Sequence, residues 1–330
     1  ENMDFSQELR LAYDKEGPFR GLVGVSHLHL KQWFDGVNVF SETQLGLNRA
    51  TNSTGAPREV KTNGAFFGMT YDFNDRLTVS AEGRYQQDEV FLYNGPAGIT
   101  ISATNATALG VPGAGGFHAA YDLILSTKYK NFLPRAIVQY DFTDDIMGYV
   151  SYSKAVNVGI DFFNQTPFSA ASATVLQAFT DLGLSVVVQP EKLTNYELGL
   201  KGKFFDNRMQ GTLAIYRANW DNQVNRRTVI IQDAAPPAGT GAPQIVSGQA
   251  NSGKVVAQGI EVDVLTKLGN FDLTVSAAMN DSDIRRFSDP SISQMTGLFG
   301  DDFKGHQLPL ASKISANVSL QYNGAAPYFD

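Results

Sequence analysis

The 330 residues hold 26 Lys and Arg against 33 Asp and Glu, a formal net charge of −7. A nucleic-acid surface needs the opposite sign, so that class of partner is excluded. The chain has no cysteine, which excludes a disulfide framework and any thiolate metal or redox site.

No stretch reaches the ~18 uninterrupted apolar residues of a helical membrane span. The most apolar run, "FSAASATVLQAFTDLGLSVVV", is broken by Ser, Thr, Gln and Asp181. The opening "ENMDFSQELR" has neither a basic region nor an apolar core, so it reads as no signal peptide.

Along the chain, apolar and polar residues alternate with the period of a strand that has two different surroundings. "SQELRLAY" places Leu9, Leu11 and Tyr13 opposite Glu8 and Arg10. "RLTVSAEGRY" places Leu77, Val79, Ala81 and Tyr85 opposite Thr78, Ser80, Glu82 and Arg84. "NYELGLKGK" sets Tyr196, Leu198 and Leu200 against Glu197, Lys201 and Lys203. "QGIEVDV", "FDLTVSAAM" and "KISANVSLQY" repeat the pattern with Ile260, Val275 and Val318 among the apolar sets. About eleven strands and no long amphipathic helix are predicted.

The connections alternate strictly between short and long. Short turns fall at "DKEGP", "DFND", "DFTDD", "FDNR", "LGN" and "NGAAP", in steps of roughly 56 to 70 residues. Between them run long connections rich in Gly, Pro, Asn, Ser and Thr: Trp33 to Glu59, Gln86 to Asn131, Asn157 to Leu193, Asp221 to Gly253, and Asp281 to Gly305. Loops beyond about 15 residues are uncommon in compact domains, and five of them in one chain form a pattern. In an up-and-down sheet all short turns fall at one end and all long loops at the other, the asymmetry of an outer-membrane β-barrel.

The aromatics suit two membrane interfaces. Tyr13, Phe19, Tyr71, Phe73, Tyr140, Phe142, Phe204, Phe205, Phe271, Tyr322 and Tyr328 flank the short turns, and Trp33, Tyr85, Tyr152, Tyr216 and Trp220 lie toward the other ends. The apolar parity then meets lipid, and the charged parity meets a wet lumen. Charge on many inward positions argues for a wide barrel, because a small one fills its interior with side chains.

Three stretches, "PEKLTNYELGLKG" (Pro190 to Gly202), "NRMQGTLAIYRANWDNQV" and "NSGKVVAQGIEVDV" (Asn251 to Val264), resemble the barrels of TonB-dependent outer-membrane receptors. "FSQELRLAY", "DRLTVSAEGRY" and "LPRAIVQYDFTDDIMGYVSYSKA" look like further strands of the same barrel. The resemblance implies an all-β, antiparallel, up-and-down transmembrane barrel, with residues 1–330 forming about half of a 22-stranded wall. The family's plug domain, its energy-coupling segment and its closing strand have no counterpart here, and "SYSKA" continues as "VNVGIDFFN" rather than in the family's usual way. This chain is therefore expected to be a barrel segment.

The implied function is active uptake of a scarce, bulky ligand such as an iron–siderophore complex, in a Gram-negative outer membrane. The implied partners are outer-membrane lipid and lipopolysaccharide, the ligand, and TonB through the plug region. No cofactor and no enzyme activity are implied. The alternative reading is a structural or adhesive β-repeat, such as a propeller with four strands per blade.

Ligand contacts are expected among lumen-facing or loop residues near the long-loop ends: His29, Arg84, Asn157, Tyr216 and Trp220. His27 and His29, two apart on a strand, share a face and could ligate a metal, but no Cys or carboxylate lies near them in sequence, so they read as polar lumen wall. Asp144–Asp145, Asp301–Asp302 and Glu261–Asp263 lack the spacing of a calcium loop and read as solvated turn or wall residues. "GVPGAGG" has no following Lys-Ser/Thr, so it is no phosphate cradle. Ser151 and Lys154 point to opposite faces of a strand, which excludes nucleophile activation.

Overall fold

The computed structural model describes residues 2–32, 35–38, 51–54, 57–95, 98–158, 173–232, 243–287 and 302–324. Eleven strands form one antiparallel sheet in chain order. They are β1 (Asn2–Asp14), β2 (Phe19–Gln32), β3 (Arg58–Asp72), β4 (Leu77–Tyr93), β5 (Leu123–Thr143), β6 (Ile146–Asn157), β7 (Glu191–Phe204), β8 (Met209–Gln232), β9 (Pro243–Leu268), β10 (Phe271–Arg286) and β11 (Ile314–Tyr322). Two short hairpins, Asp35–Asn38 with Thr51–Thr54 and Ile99–Ile101 with Gly116–His118, lie within the long connections. Among the described residues two α-helices do as well, α1 (Ala103–Ala108) and α2 (Ala173–Asp181). Among the described residues no helix is long and apolar enough to cross a membrane. The continuous sheet corrects the propeller alternative, which needs separate four-stranded blades.

The turns that join β1 to β2, β3 to β4, β5 to β6, β7 to β8 and β9 to β10 span between two and four residues. Local chemistry makes them tight. The Asn74 side chain accepts from the backbone N–H groups of Arg76 and Leu77, both at 2.9 Å. Gly269, at φ +65°, opens the two-residue turn before β10. Beside these turns Arg20 donates two hydrogen bonds to the Asp72 carboxylate, at 2.6 and 2.9 Å, and Thr78 donates a third. That set ties β2, β3 and β4 together at the short-turn end.

Register assigns the faces. Leu9 pairs with Val25, Val25 with Ala65, Ala65 with Tyr85, and Tyr85 with Phe132. Val150, Leu198, Ile215, Ile260, Met279 and Ile314 continue the same face across β6 to β11. These residues are open to the surroundings, with Leu9 at 74% and Leu198 at 54% exposure. An aqueous surface would not leave so continuous an apolar band uncovered; lipid covers it. Aromatic rings border the band at the short-turn end, where Tyr13 meets Phe19, Tyr71 meets Phe73, Tyr140 meets Phe142, and Phe271 meets Tyr322, all with centroids 4.8–6.0 Å apart. Tyr152 and Tyr196 pair at 5.3 Å on the outer face farther up.

Two expectations need correction. Tyr216 and Trp220 share the parity of Ala214, opposite to that of Ile215, so they face the lumen and are not part of an outer belt. Trp33 and Tyr328 lie outside the described residues. The strands also run well beyond the long-loop boundaries expected from composition: β4 continues to Tyr93, β5 starts at Leu123, and β8 and β9 reach 24 and 26 residues. A crossing needs only about 9–11 residues. The surplus projects past the membrane, where hairpin pairing satisfies the backbone whatever the composition.

The buried core sits in that projecting half. Val60, Val90 and Tyr129 on the inner face pack with Val158 and Val187. Leu92, Ile101, Ala106, Ala114, Ile124 and Val186 form a second cluster. Ala178, Phe179, Leu182 and Leu184 pack on Ala250 of β9 as a third.

A roofed lumen wall as the candidate functional site

One piece of chain contributes to all three clusters: Ala178, Phe179, Leu182 and Leu184 to the third, Val186 to the second and Val187 to the first. After α2, residues 182–190 cross from β8 and β9 to β3–β5 over the inner face. Arg227 of β8 donates to the Leu182 carbonyl at 2.6 Å. Asn251 of β9 clamps Gln189, accepting from its N–H at 2.7 Å and donating to its carbonyl at 2.8 Å. Across the lumen, the Tyr129 hydroxyl donates to the Val188 carbonyl at 2.6 Å. Tyr129 lies 14 residues above the short-turn end of β5, past the crossing segment, and burial pushes its phenol up to about 12, so it remains a donor. Residues 182–190 thus form a fixed roof over the inner face of the wall at its outer end.

Below the roof the inner face is polar. Arg84 of β4 donates to the Ser26 hydroxyl and to Gln86, each at 3.0 Å. Gln86 and Thr62 both donate to Asp88, at 2.9 and 2.7 Å. Asn157 of β6 donates to Glu191 at 2.8 Å, and the other Glu191 oxygen accepts from the backbone N–H of Val224. Trp220 pairs with Leu193, two residues along β7 from Glu191. Tyr216, four residues below Trp220 on the same face, donates to Asn280 of β10. Lower still, the Tyr149 ring lies over Gly199 and its hydroxyl donates to Glu197 at 2.6 Å. Gly199 leaves room for that ring where any larger residue would displace it.

Asn157, Tyr216 and Trp220 therefore occupy one region of inner wall on β6–β8, together with Glu191, which sequence reasoning did not single out. Arg84 is also on the inner face, but β5 separates its strand from β6. His29 is a correction. It pairs with Phe5 and Lys61 on the parity of Leu9 and Val25, so it and His27 face outward. The carboxylate that sequence proximity did not reveal is Glu59, whose Oε1 is 2.9 Å from His29 Nε2. Among the described residues no group of three His, Asp or Glu is placed to hold a metal ion.

An antiparallel sheet with a lipid-facing apolar band, a polar inner wall and a segment of one long connection folded over that wall at one end is the wall of a large transmembrane β-barrel. The family model described as "TonB dependent receptor-like, beta-barrel" matches residues 2–329, and the chain belongs to that family. Its members are non-enzymatic transporters that reside in the Gram-negative outer membrane.

Solved structures share the fold at low identity. The siderophore receptor PiuA from Acinetobacter baumannii is 16% identical with a TM-score of 0.60, covering 97% of this chain and 44% of its own. The copper transporter OprC is 14% identical with a TM-score of 0.60, over 98% of this chain and 42% of its own. The ferric yersiniabactin uptake receptor FyuA from Yersinia pestis is 14% identical with a TM-score of 0.56, over 98% and 40%. The chain thus spans about two-fifths of the length of these receptors. Comparison with curated protein sequences finds no match.

Proposed function

We propose that residues 1–330 form part of the wall of an outer-membrane active-transport receptor that takes up a scarce, bulky ligand, an iron–siderophore complex, with energy delivered through TonB. The observation that carries this reading is the roofed, polar inner wall. An ordered segment, residues 182–190, packs over the outer end of that wall and is held there by hydrogen bonds to strands on both sides. Among the solved relatives PiuA is a siderophore receptor and FyuA a ferric yersiniabactin uptake receptor, which supports the ligand class. Asn157, Tyr216 and Trp220, with Glu191, are the proposed ligand-side wall, and Arg84 is a second inward position. His29 has no place in that wall.

The sheet needs more strands to work. Among the described residues β1 and β11 each pair on one side only. Unpaired backbone groups in lipid cost several kcal/mol each, so further strands must continue both edges. Plug and energy coupling belong to the rest of the receptor.

The test is uptake of radio-iron from ferric siderophores of the catecholate, hydroxamate and carboxylate classes. Cells lacking the receptor are complemented with the full-length protein or with its Trp220→Ala and Asn157→Ala variants. One siderophore class should depend on the receptor, and the variants should lower uptake while the barrel assembles normally. Iron uptake that never depends on the receptor would refute the ligand class.

A further inference from the structure

Three long side chains of the inner wall lie flat, each across a glycine. Arg84 of β4 reaches over Gly64 of β3 to the Ser26 hydroxyl of β2, at 3.0 Å. Tyr149 of β6 lies over Gly199 of β7, its cross-strand partner, with its hydroxyl on Glu197 and the Lys201 ammonium 5.5 Å from the ring centroid. Tyr216 of β8 crosses Gly259 of β9 to reach Asn280 of β10. Gly64, Gly199 and Gly259 lie 8, 5 and 9 residues above the short-turn ends of β3, β7 and β9. The crossing takes about 9–11 residues, so all three sit at membrane depth, below the roof.

Space, not backbone conformation, explains these glycines. None of the three has a positive φ, so each backbone would accept any residue. A glycine inside a strand packs nothing and weakens the strand, and it is expected where another group approaches closely. Non-bonded carbon contacts settle at about 3.5–4.0 Å. A Cβ on Gly64 would stand 2.8 Å from the Arg84 guanidinium and 2.9 Å from the Ser26 hydroxyl. On Gly199 it would run into the outer end of the Tyr149 ring. On Gly259 it would stand 2.8 Å from the Tyr216 hydroxyl and 2.6 Å from the Met279 carbonyl. A side chain at these positions displaces the group above it, and the open direction is inward, toward the lumen. Several inward positions around Gly259 are small as well: Ala214, Ala218, Ala257 and Ala278.

We propose that Gly64, Gly199 and Gly259 determine how large a ligand the receptor passes. They are positioning residues: they hold Arg84, Tyr149 and Tyr216 along the wall, where these side chains keep their hydrogen bonds without narrowing the lumen. The proposal rests on the reading of this wall as the path of a bulky ligand. Asn157, Glu191 and Trp220 lie 11, 13 and 11 residues above the short-turn ends of their strands. A change at Gly199, only 5 residues up, therefore acts on passage and leaves the ligand-side wall intact.

The experiment uses the full-length receptor with Gly199→Ala, with Tyr149→Ala, and with both substitutions. The probe is the ferric siderophore whose radio-iron uptake depends on the parent, given to energised cells for uptake and to de-energised cells for binding. Gly199→Ala should lower the maximal uptake rate at least fivefold, with binding within twofold of the parent. Tyr149→Ala and the double variant should both take up iron within twofold of the parent, because no ring is left to lift. A crystal structure of the Gly199→Ala receptor should show the Tyr149 hydroxyl off Glu197 and the ring in the lumen. A smaller loss of uptake, a loss that the double variant does not restore, or a ring still lying over residue 199 would each overturn the proposal. If no ferric siderophore depends on the parent, the transport reading fails by itself, and the ring position in the crystal structure decides this proposal. If Gly199→Ala gives no heat-modifiable barrel band, Gly64→Ala decides by the same uptake and structural readings, because the atoms nearest its Cβ are the ends of the Arg84 and Ser26 side chains.

Discussion

Within single strands, the membrane-level half and the projecting half of this sheet are built on opposite plans. In β2 the outward residues are Val23 and Val25 low down but His27, His29 and Lys31 higher up, while Leu28 and Leu30 turn inward. In β3 the outward residues are Met69 and Phe67 below and Lys61 and Glu59 above, with Val60 buried inside. β4 repeats this with Val79 and Tyr85 against Gln87 and Glu89, and Val90 and Leu92 buried within. Parity never slips along these stretches; the surroundings do. Where lipid lies outside and water inside, apolar residues point out. Past the headgroups water lies outside and the roof lies inside, so the same parity carries charge and the other carries the core. One sheet thus holds an inverted barrel wall and a conventional hydrophobic core.

The comparison can be broken from either side. The largest effect is expected in the conventional core. Phe179 is 2% exposed among Leu182, Leu184 and Ala250, and Phe179→Ala should cost about 3–5 kcal/mol of local stability. Because that core belongs to the roof, the loss should appear as rapid protease cleavage within residues 173–190 on intact cells, with the heat-modifiable barrel band unchanged. If the barrel band vanished as well, the two halves would be one cooperative unit.

A somewhat smaller effect tests the inverted half. Leu198 sits between Val150 and Ile215 on the lipid face, so Leu198→Arg should cost about 2–4 kcal/mol of insertion. Its neighbour Glu197 faces the lumen and accepts from the Tyr149 hydroxyl, so Glu197→Arg should cost about 1 kcal/mol. Folding of the full-length protein into vesicles over a urea series measures both. Equal costs would reject the face assignment.

The smallest effect sharpens the boundary between the halves. Burial pushes the Glu59 carboxyl up, but hydrogen bonds from Tyr93, Lys61 and His29 with the Lys31 charge outweigh it. Glu59, 13 residues above the short-turn end of β3, has a folded pKa of about 2 against an ordinary value near 4.5. A depressed carboxylate pKa means that its stabilisation is complete above pH 4.5 and is lost as pH falls toward 2. Amide exchange in the upper parts of β2 and β3 should therefore accelerate across that window, and Glu59→Gln should flatten the dependence while lowering protection above it. An unchanged pH profile in the variant would show that Lys31 and Lys61 are held by something other than this carboxylate.

Much of this was legible in the residues themselves. Alternation at Leu9–Tyr13, Leu77–Tyr85 and Tyr196–Leu200 determined strands with two unlike faces, because a period of two admits no other structure. The strict alternation of short turns with long connections determined which end is which, because an up-and-down sheet sorts its loops. Other features needed the third dimension. His27 and His29 read as lumen wall because a strand shows which residues share a face but not where along the membrane normal that face leaves lipid; only the register with Phe5 and Leu9 decides it. The pairing of His29 with Glu59 joins residues 30 apart, and that of Tyr129 with Val188 joins residues 59 apart. Neither leaves a local pattern. The strand extensions into Gly- and Pro-bearing sequence and the inward fold of residues 182–190 are tertiary decisions for the same reason: hydrogen bonding to a neighbouring strand and burial of Phe179, Val186 and Val188 outweigh weak local preference.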